Sequence, residues 1–234
     1  WIARGRGDPR GERCRTWWTL HDPRANFQRL RTKPVPTPPL RSRMTDARPS
    51  GRPGTLFLVA TPIGNLEDVS ARALRVLREA DLVAAEDTRH TRRLLSHFGI
   101  PATVVSLHEH NEFHESPKLV RRLASGESIA LVSDAGTPGI ADPGARLVRA
   151  AREANIPIVP IPGANAVATI MSVAGAEQTE FTFFGFPPAK GTARSEWFSR
   201  VAATGHTCVF FEAPHRITQT LLDCQSYLGE KQIL

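Results

Sequence analysis

The chain is 234 residues long, 41% hydrophobic and 23% charged, with a formal net charge of +7. That length suits one large domain or two small ones, and no apolar run approaches the ~20 residues of a membrane span. Cys14, Cys208 and Cys224 have no metal-type spacing, and an odd count argues against a disulfide framework, so a reducing, cytoplasmic setting is expected.

The charge is uneven. Residues 1–53 hold thirteen Arg and Lys against four acids, a net of +9, which leaves −2 for residues 54–234. The basicity therefore belongs to the tail and is not evidence of a nucleic-acid face on the folded part, although a basic arm would add electrostatic affinity for one. Residues 1–53 read as a disordered basic tail, with an extended Pro34-Val-Pro-Thr-Pro-Pro39 and no periodic apolar face. The first methionine is Met44, so residues 1–43 are expected to be upstream sequence outside the working protein, the other readings being an RNA-binding arm or an import peptide.

From Gly54 the pattern becomes βα alternation. Thr55-Leu-Phe-Leu-Val-Ala60 is a continuous apolar run, as in a strand buried on both faces of a parallel sheet. After the loop Thr61–Leu66, a helix is expected to open at Glu67. Strands follow at Asp81–Ala85, Ala102–Leu107, Ser128–Val132 and Asn155–Ile161, each succeeded by a helical pattern. In Ser133-Asp-Ala-Gly-Thr-Pro-Gly-Ile-Ala-Asp-Pro-Gly144, Gly136 and Gly139 permit close backbone approach, and Asp142 with Pro143 reads as the start of the next helix. Five such units predict a doubly wound, mainly parallel five-stranded α/β domain over 54–176. Beyond it, Glu180–Phe186 is expected as a sheet-edge or antiparallel strand, Arg194–Ala203 as a helix, Thr207–Phe211 as a strand and Ala213–Leu228 as a long helix. A strand begins at Lys231, so 177–234 reads as an incomplete second α/β domain.

Parallel strands present their carboxyl ends to one edge, where ligands of open α/β sheets sit. The polar loops Thr61–Leu66, Glu86–Arg89, His108–Glu112, Ser133–Asp142 and Pro162–Ala166 share that edge. Glu86 and Asp87 beside Arg89 suit a general base or a hydroxyl-binding pair, or simply acids at a helix start. His108 and His110 lack a third ligand, so no metal site is expected. G-x-x-x-x-G-K-[ST], G-x-G-x-x-G and G-x-S-x-G are all missing, which disfavours nucleotide-triphosphate, nicotinamide and serine-hydrolase chemistry. Glu212-Ala-Pro-His-Arg216 lies at the end of a second-domain strand.

Ala60-Thr-Pro-Ile-Gly-Asn-Leu-Glu-Asp68, Glu86-Asp-Thr-Arg89, His108-Glu-His-Asn-Glu112, Ser133–Gly144, Pro162-Gly-Ala-Asn-Ala166 and Glu212-Ala-Pro-His-Arg216, in this order and spacing, resemble the ribosomal-RNA-methylating members of the tetrapyrrole (corrin/porphyrin) methylase superfamily. The resemblance covers residues 54–234. It implies S-adenosylmethionine as methyl donor, 2′-O-methylation of a cytidine ribose in the decoding region of small-subunit (16S) ribosomal RNA, and a homodimer with the cofactor in the cleft between two domains. It implies a cofactor wall of Pro62, Ile63 and Gly64, of Asp134, Ala135, Gly136, Thr137, Pro138 and Ile140, and of Gly163, Ala164, Asn165 and Ala166, approached by Phe211 and Glu212. Glu86, Asp87, His108 and His215 are candidate bases that the sequence does not rank, with Arg89 and Arg216 as candidate holders of the RNA backbone. The family carries further strands after Gln232 that this chain lacks. Two competing readings stay open: a tetrapyrrole-precursor methyltransferase, from whose Gly-Gly-Asp-Pro fourth loop Ser133–Pro138 departs, and a non-catalytic RNA-binding or assembly module.

Overall fold

The computed structural model describes residues 2–4, 53–175, 180–229 and 232–233, all within one compact unit. The readings of the remainder of the 1–53 tail, and of the expected boundary at 176/177, lie outside the described residues.

The first sheet has strands β2 (Leu56–Val59), β3 (Leu82–Ala85), β4 (Val104–Ser106), β5 (Ile129–Val132) and β6 (Ile158–Ile161); β1 (Ile2–Arg4) belongs to the second sheet. Their order is β4-β3-β5-β2-β6, and all pairings are parallel. The five-stranded parallel domain expected from the alternation is thus present. β3 and β5 are buried at every position, in keeping with their unbroken apolar runs. β6 contains Pro160, which has no N–H for a ladder, and it is an edge strand.

Helices α1 (Ala71–Glu79) and α2 (Thr88–His97) cover one face, where Val76, Leu77 and Leu95 meet Val59, Val83 and Val132. α3 (Glu112–Ala124) and α4 (Ala145–Glu153) cover the other, packing Leu119, Leu123, Leu147 and Ala151 against Leu56, Leu82, Ile129 and Leu131. Each fully buried Leu contributes about 1.5–3 kcal/mol, so these two layers fix the sheet whose carboxyl edge bears the polar loops.

Three helices start later than the sequence reading, and α6 starts two residues earlier, at Thr192. The segment at Glu67 is a short 3₁₀ turn, Leu66–Asp68, and α1 begins only after Ser70, whose hydroxyl accepts from the Ala73 amide. Asp142 and Pro143 do not open α4. The position before its first residue is Gly144, at φ 125°, where a Cβ would stand 2.7 Å from Leu131 Cδ2. Asp142 is therefore left on the loop, where its carboxyl takes a hydrogen bond from Ser133. The last helix, α7, is Ile217–Leu228 and not 213–228, because Ala213–Arg216 makes a turn closed by Arg216 N donating to Ala213 O.

Beyond α5 (Ala166–Val173), the second sheet has the order β7-β8-β1-β9, with β7 Phe181–Phe183, β8 Thr207–Val209, β1 Ile2–Arg4 and β9 Gln232–Ile233. β7 is an edge strand, as its composition suggested, and it pairs parallel to β8. Helix α6 (Thr192–Ala203) packs Trp197 and Phe198 with Cys208, Phe210 and the Cys224 of α7. Val167, Ile170 and Met171 of α5 pack on Phe183, Val209 and Phe211, joining the two sheets through one apolar cluster.

The arginines of α2 and α3 lie toward opposite ends. α3 has Glu112 and Glu115 in its first turn and Arg121 and Arg122 in its last, the arrangement the helix dipole favours by about 0.3–1 kcal/mol per group. α2 has its acid, Asp87, at the N-cap and carries Arg89, Arg92 and Arg93 within its first six residues.

Candidate active site

The carboxyl edge of the first sheet is built from three loops stitched together by their backbones. Thr61 and Gly136 exchange N–H···O bonds of 2.9 and 3.0 Å, making an isolated bridge between the loops after β2 and β5. Thr61 Oγ1 donates to Ser133 O at 3.2 Å. Thr137 Oγ1 donates to Ala164 O at 3.3 Å, which ties in the loop after β6, and Asn165 Oδ1 caps α5 by accepting from Ala168 N. Gly136 lies at φ 85°, and a Cβ there would be 3.4 Å from Ile63 Cγ2. At Gly163 a Cβ would come within 2.9 Å of the Ala60 Cβ. Pro62, Ile63, Asp134, Thr137, Ala164 and Asn165 are half-buried, Gly64, Ala135, Gly139, Ile140, Gly163 and Ala166 are exposed, and Gly136 and Pro138 are buried. The expected cofactor-wall residues of these three loops are therefore neighbours, and apart from the Asp134 carboxylate they offer backbone and small uncharged groups.

Beside this wall stand carboxylates. Asp134 Oδ1 accepts from the Asp87 amide at 3.0 Å, joining the ends of β3 and β5. Glu86 is half-buried; burial raises its pKa above the usual 4.5, the charges of Asp134 and Asp142 raise it further, and a hydrogen bond from the Asp134 backbone only partly opposes them. Asp142 is raised in the same way, by burial first and then by Asp134, against the bond from Ser133. Asp87 is different: its side chain accepts from the Arg89 amide, Nε and guanidinium, which hold its carboxyl well below the usual range. Asp87 is thus spent on Arg89, while Glu86 keeps a proton-accepting role open. Asp142, read from sequence only as a helix start, belongs to this group.

His108 follows β4. Its amide donates to Asn111 Oδ1, its ring lies 5.9 Å from that of His110, and its Nδ1 is buried without a hydrogen-bond partner. Among the described residues no group of three or more His, Cys, Asp or Glu is placed to hold a metal.

Glu112 reaches the loop from outside. It is 7% exposed, and its Oε1 accepts from Gly144 N at 3.0 Å and Arg146 N at 2.7 Å. A residue of α3 thus caps α4, in a place where Gly144 has no side chain to do so. The sequence signal was available: Glu112, Ser116, Leu119 and Leu123 form one buried stripe of α3, and an acid on such a stripe needs a partner.

The second-sheet residues are arranged otherwise. Phe211 stacks edge-on with Phe183 at 4.9 Å between centroids and lies 5.4 Å from Phe186. The Glu212 side chain is fully buried; it accepts from the Ala213 amide, Arg216 and the Thr220 hydroxyl, with Arg194 at 3.9 Å. Burial would raise its pKa, but these bonds prevail and lower it. Arg216 also donates to Pro187 O, so its guanidinium is turned into the scaffold, whereas His215 is exposed on the preceding turn. The structure therefore brings together the loop residues with Glu86, Asp87 and Arg89, and it withdraws the side chains of Glu212 and Arg216 into a separate ion-pair network.

Residues 55–232 match the family model described as tetrapyrrole (corrin/porphyrin) methylases. Curated relatives named ribosomal RNA small subunit methyltransferase I include one from Xylella fastidiosa, 52% identical over 77% of this chain and 66% of its own length, and one from Pseudomonas aeruginosa, 52% identical over 75% and 62%. The chain thus spans just under two thirds of those relatives. Among solved structures, a diphthine synthase shares the fold at a TM-score of 0.57, 18% identical and covering 74% of this chain and 72% of its own.

Proposed function

Because this chain belongs to the tetrapyrrole (corrin/porphyrin) methylases, we propose that it is an S-adenosylmethionine-dependent methyltransferase acting on the 2′-hydroxyl of a cytidine ribose in the decoding region of small-subunit ribosomal RNA, working as a homodimer. The observation that carries this reading is the three-loop wall: small residues of loops tied together by the Thr61–Gly136 bridge stand beside carboxylates whose pKa values are raised. The names of the relatives point to ribosomal RNA.

The residues fit the cofactor. A Cβ at Gly163 or Gly136 would crowd Ala60 or Ile63, so glycine lets the three loops meet, while Gly64 and Gly139 face open space where a flat base and sugar could approach the backbone. Ile63, Asp134 to Ile140 and Gly163 to Ala166 would hold it, with Phe211 closing from the second sheet. When bound, S-adenosylmethionine supplies an electrophilic methyl on a sulfonium. The task of this chain's residues is then to place the ribose oxygen in line and to remove its proton. Glu86 is the base in this reading, since its carboxylate is a stronger proton acceptor than an ordinary one and has no cation paired with it among the described residues. Asp87 holds Arg89, which steadies the start of α2 at the rim.

The test is binding followed by turnover. Calorimetry of the full chain should show micromolar binding of S-adenosylmethionine and none of NADH. Small ribosomal subunits should then accept one methyl, and RNA carrying a 2′-deoxycytidine at the target should accept none. Binding without transfer to any RNA would sink the substrate assignment while leaving the cofactor site standing.

A further inference from the structure

We propose that the outer face of α2 is the track on which the RNA backbone approaches the site, with Arg92 and Arg93 contacting phosphates to one side of the reacting nucleotide. The inference rests on the RNA-methyltransferase reading above and names the surface that reading lacks.

The buried arc of α2 is Thr91, Leu94 and Leu95, with Phe98 just beyond it. The opposite arc is Arg89, His90, Arg92, Arg93, Ser96 and His97, all exposed, with no acidic residue among them. Arg89 is held by Asp87 at the edge of the site. Arg92 has only the Thr88 hydroxyl, at 3.3 Å, and Arg93 has no ion pair among the described residues. Arg89, Arg92 and Arg93 are spaced i, i+3 and i+4, so they repel one another across the helix surface. That repulsion works against this placement in the isolated chain and vanishes when a polyanion lies on the helix. Four residues of helix advance about 6 Å, and one strand of a duplex carries a phosphate about every 3.4 Å of axis, so Arg89 to Arg93 spans roughly two phosphates. The N-terminus of α2 follows Glu86 directly, so a strand on this track leads to the proposed base.

The experiment compares the full chain with Arg92→Gln/Arg93→Gln and with Arg149→Gln/Arg152→Gln on α4, which covers the other face of the sheet. Binding of an RNA hairpin of the decoding region is measured from about 50 to 200 mM salt. In the α2 variant the slope of log affinity against log salt should fall in magnitude by about 1.4, at about 0.7 per lost single-strand phosphate contact. RNA affinity at low salt should drop tenfold or more, with S-adenosylmethionine affinity and thermal midpoint unchanged. The α4 variant should match the wild type. An unchanged slope in the α2 variant, or equal losses in both variants, overturns the track. Wild-type protein that binds S-adenosylmethionine but shows no salt-dependent RNA binding overturns the RNA reading itself, and the track with it.

Discussion

Two acidic centres of this molecule are built from the same chemistry to opposite ends. Glu212 is fully buried and fully answered, with Arg216, Thr220 and the Ala213 amide on its oxygens and Arg194 nearby. Glu86 is only half-buried, and its charged neighbours are further carboxylates. The first has its pKa lowered, and the second has it raised. A carboxylate surrounded by donors holds strands and helices in place. One left among its own kind keeps an appetite for a proton, which is what a base requires.

The largest effect that would sharpen this contrast is on rate. Glu86→Gln should lower kcat about 10²- to 10⁴-fold, leave the affinity for S-adenosylmethionine unchanged, and leave the fold no less stable, since the substitution removes a repelled charge. A full-rate Glu86→Gln enzyme would move the base elsewhere, with His108 the next group to examine.

Glu212→Ala should do the reverse. Removing one partner from a buried ion-pair network costs about 3–5 kcal/mol, read as a lower urea midpoint. The pH dependence separates the two centres further. Glu212 has a depressed pKa, so its stabilisation is full above the ordinary value of 4.5 and is lost as pH falls through the lowered one. Glu86 and Asp142 have raised values, so acid relieves their repulsion and favours the folded state. Urea midpoints of wild type and Glu212→Gln taken from pH 7 to pH 3 should therefore converge in acid, while those of Glu86→Gln and wild type should differ most at neutral pH.

The smallest effect belongs to Glu112. Glu112→Ala leaves the Gly144 and Arg146 amides without their acceptor and should cost about 1–3 kcal/mol. It should also weaken cofactor binding, because those amides end the loop that forms the wall. Glu112→Gln retains an oxygen that can accept both bonds and should restore most of the binding. Equal loss in the two variants would show that charge, not geometry, is what the loop needs.

Much of this was legible in the chain. The βα alternation announced five parallel strands because apolar runs buried on both faces look alike wherever they occur. Their order was not legible, since nothing local in Ser128–Val132 says that β5 lies at the centre. The site loops were visible as polar stretches at strand ends, which topology alone sends to one edge. The partners of those loops were hidden: an acid on the buried stripe of α3 shows that Glu112 needs a donor, but nothing local says that the donor is the Gly144 amide, 32 residues away. The network of Glu212 and Arg216 was hidden for a related reason: a motif at a strand end looks the same whether its side chains face a ligand or each other.

Cys208 and Cys224 are buried in the core of the second sheet, with thiol pKa values raised by burial, that of Cys224 to about 11. The only other cysteine in the sequence is Cys14, so residues 53–175 contain none. At neutral pH both buried thiols are protonated and shielded, hence slow to alkylate. A pulse of thiol reagent, followed by mass spectrometry, therefore counts the molecules whose second sheet has opened and is blind to the first. The protein carries a stopwatch for one half of itself, able to tell whether closure around a cofactor steadies the sheet that contributes Phe211.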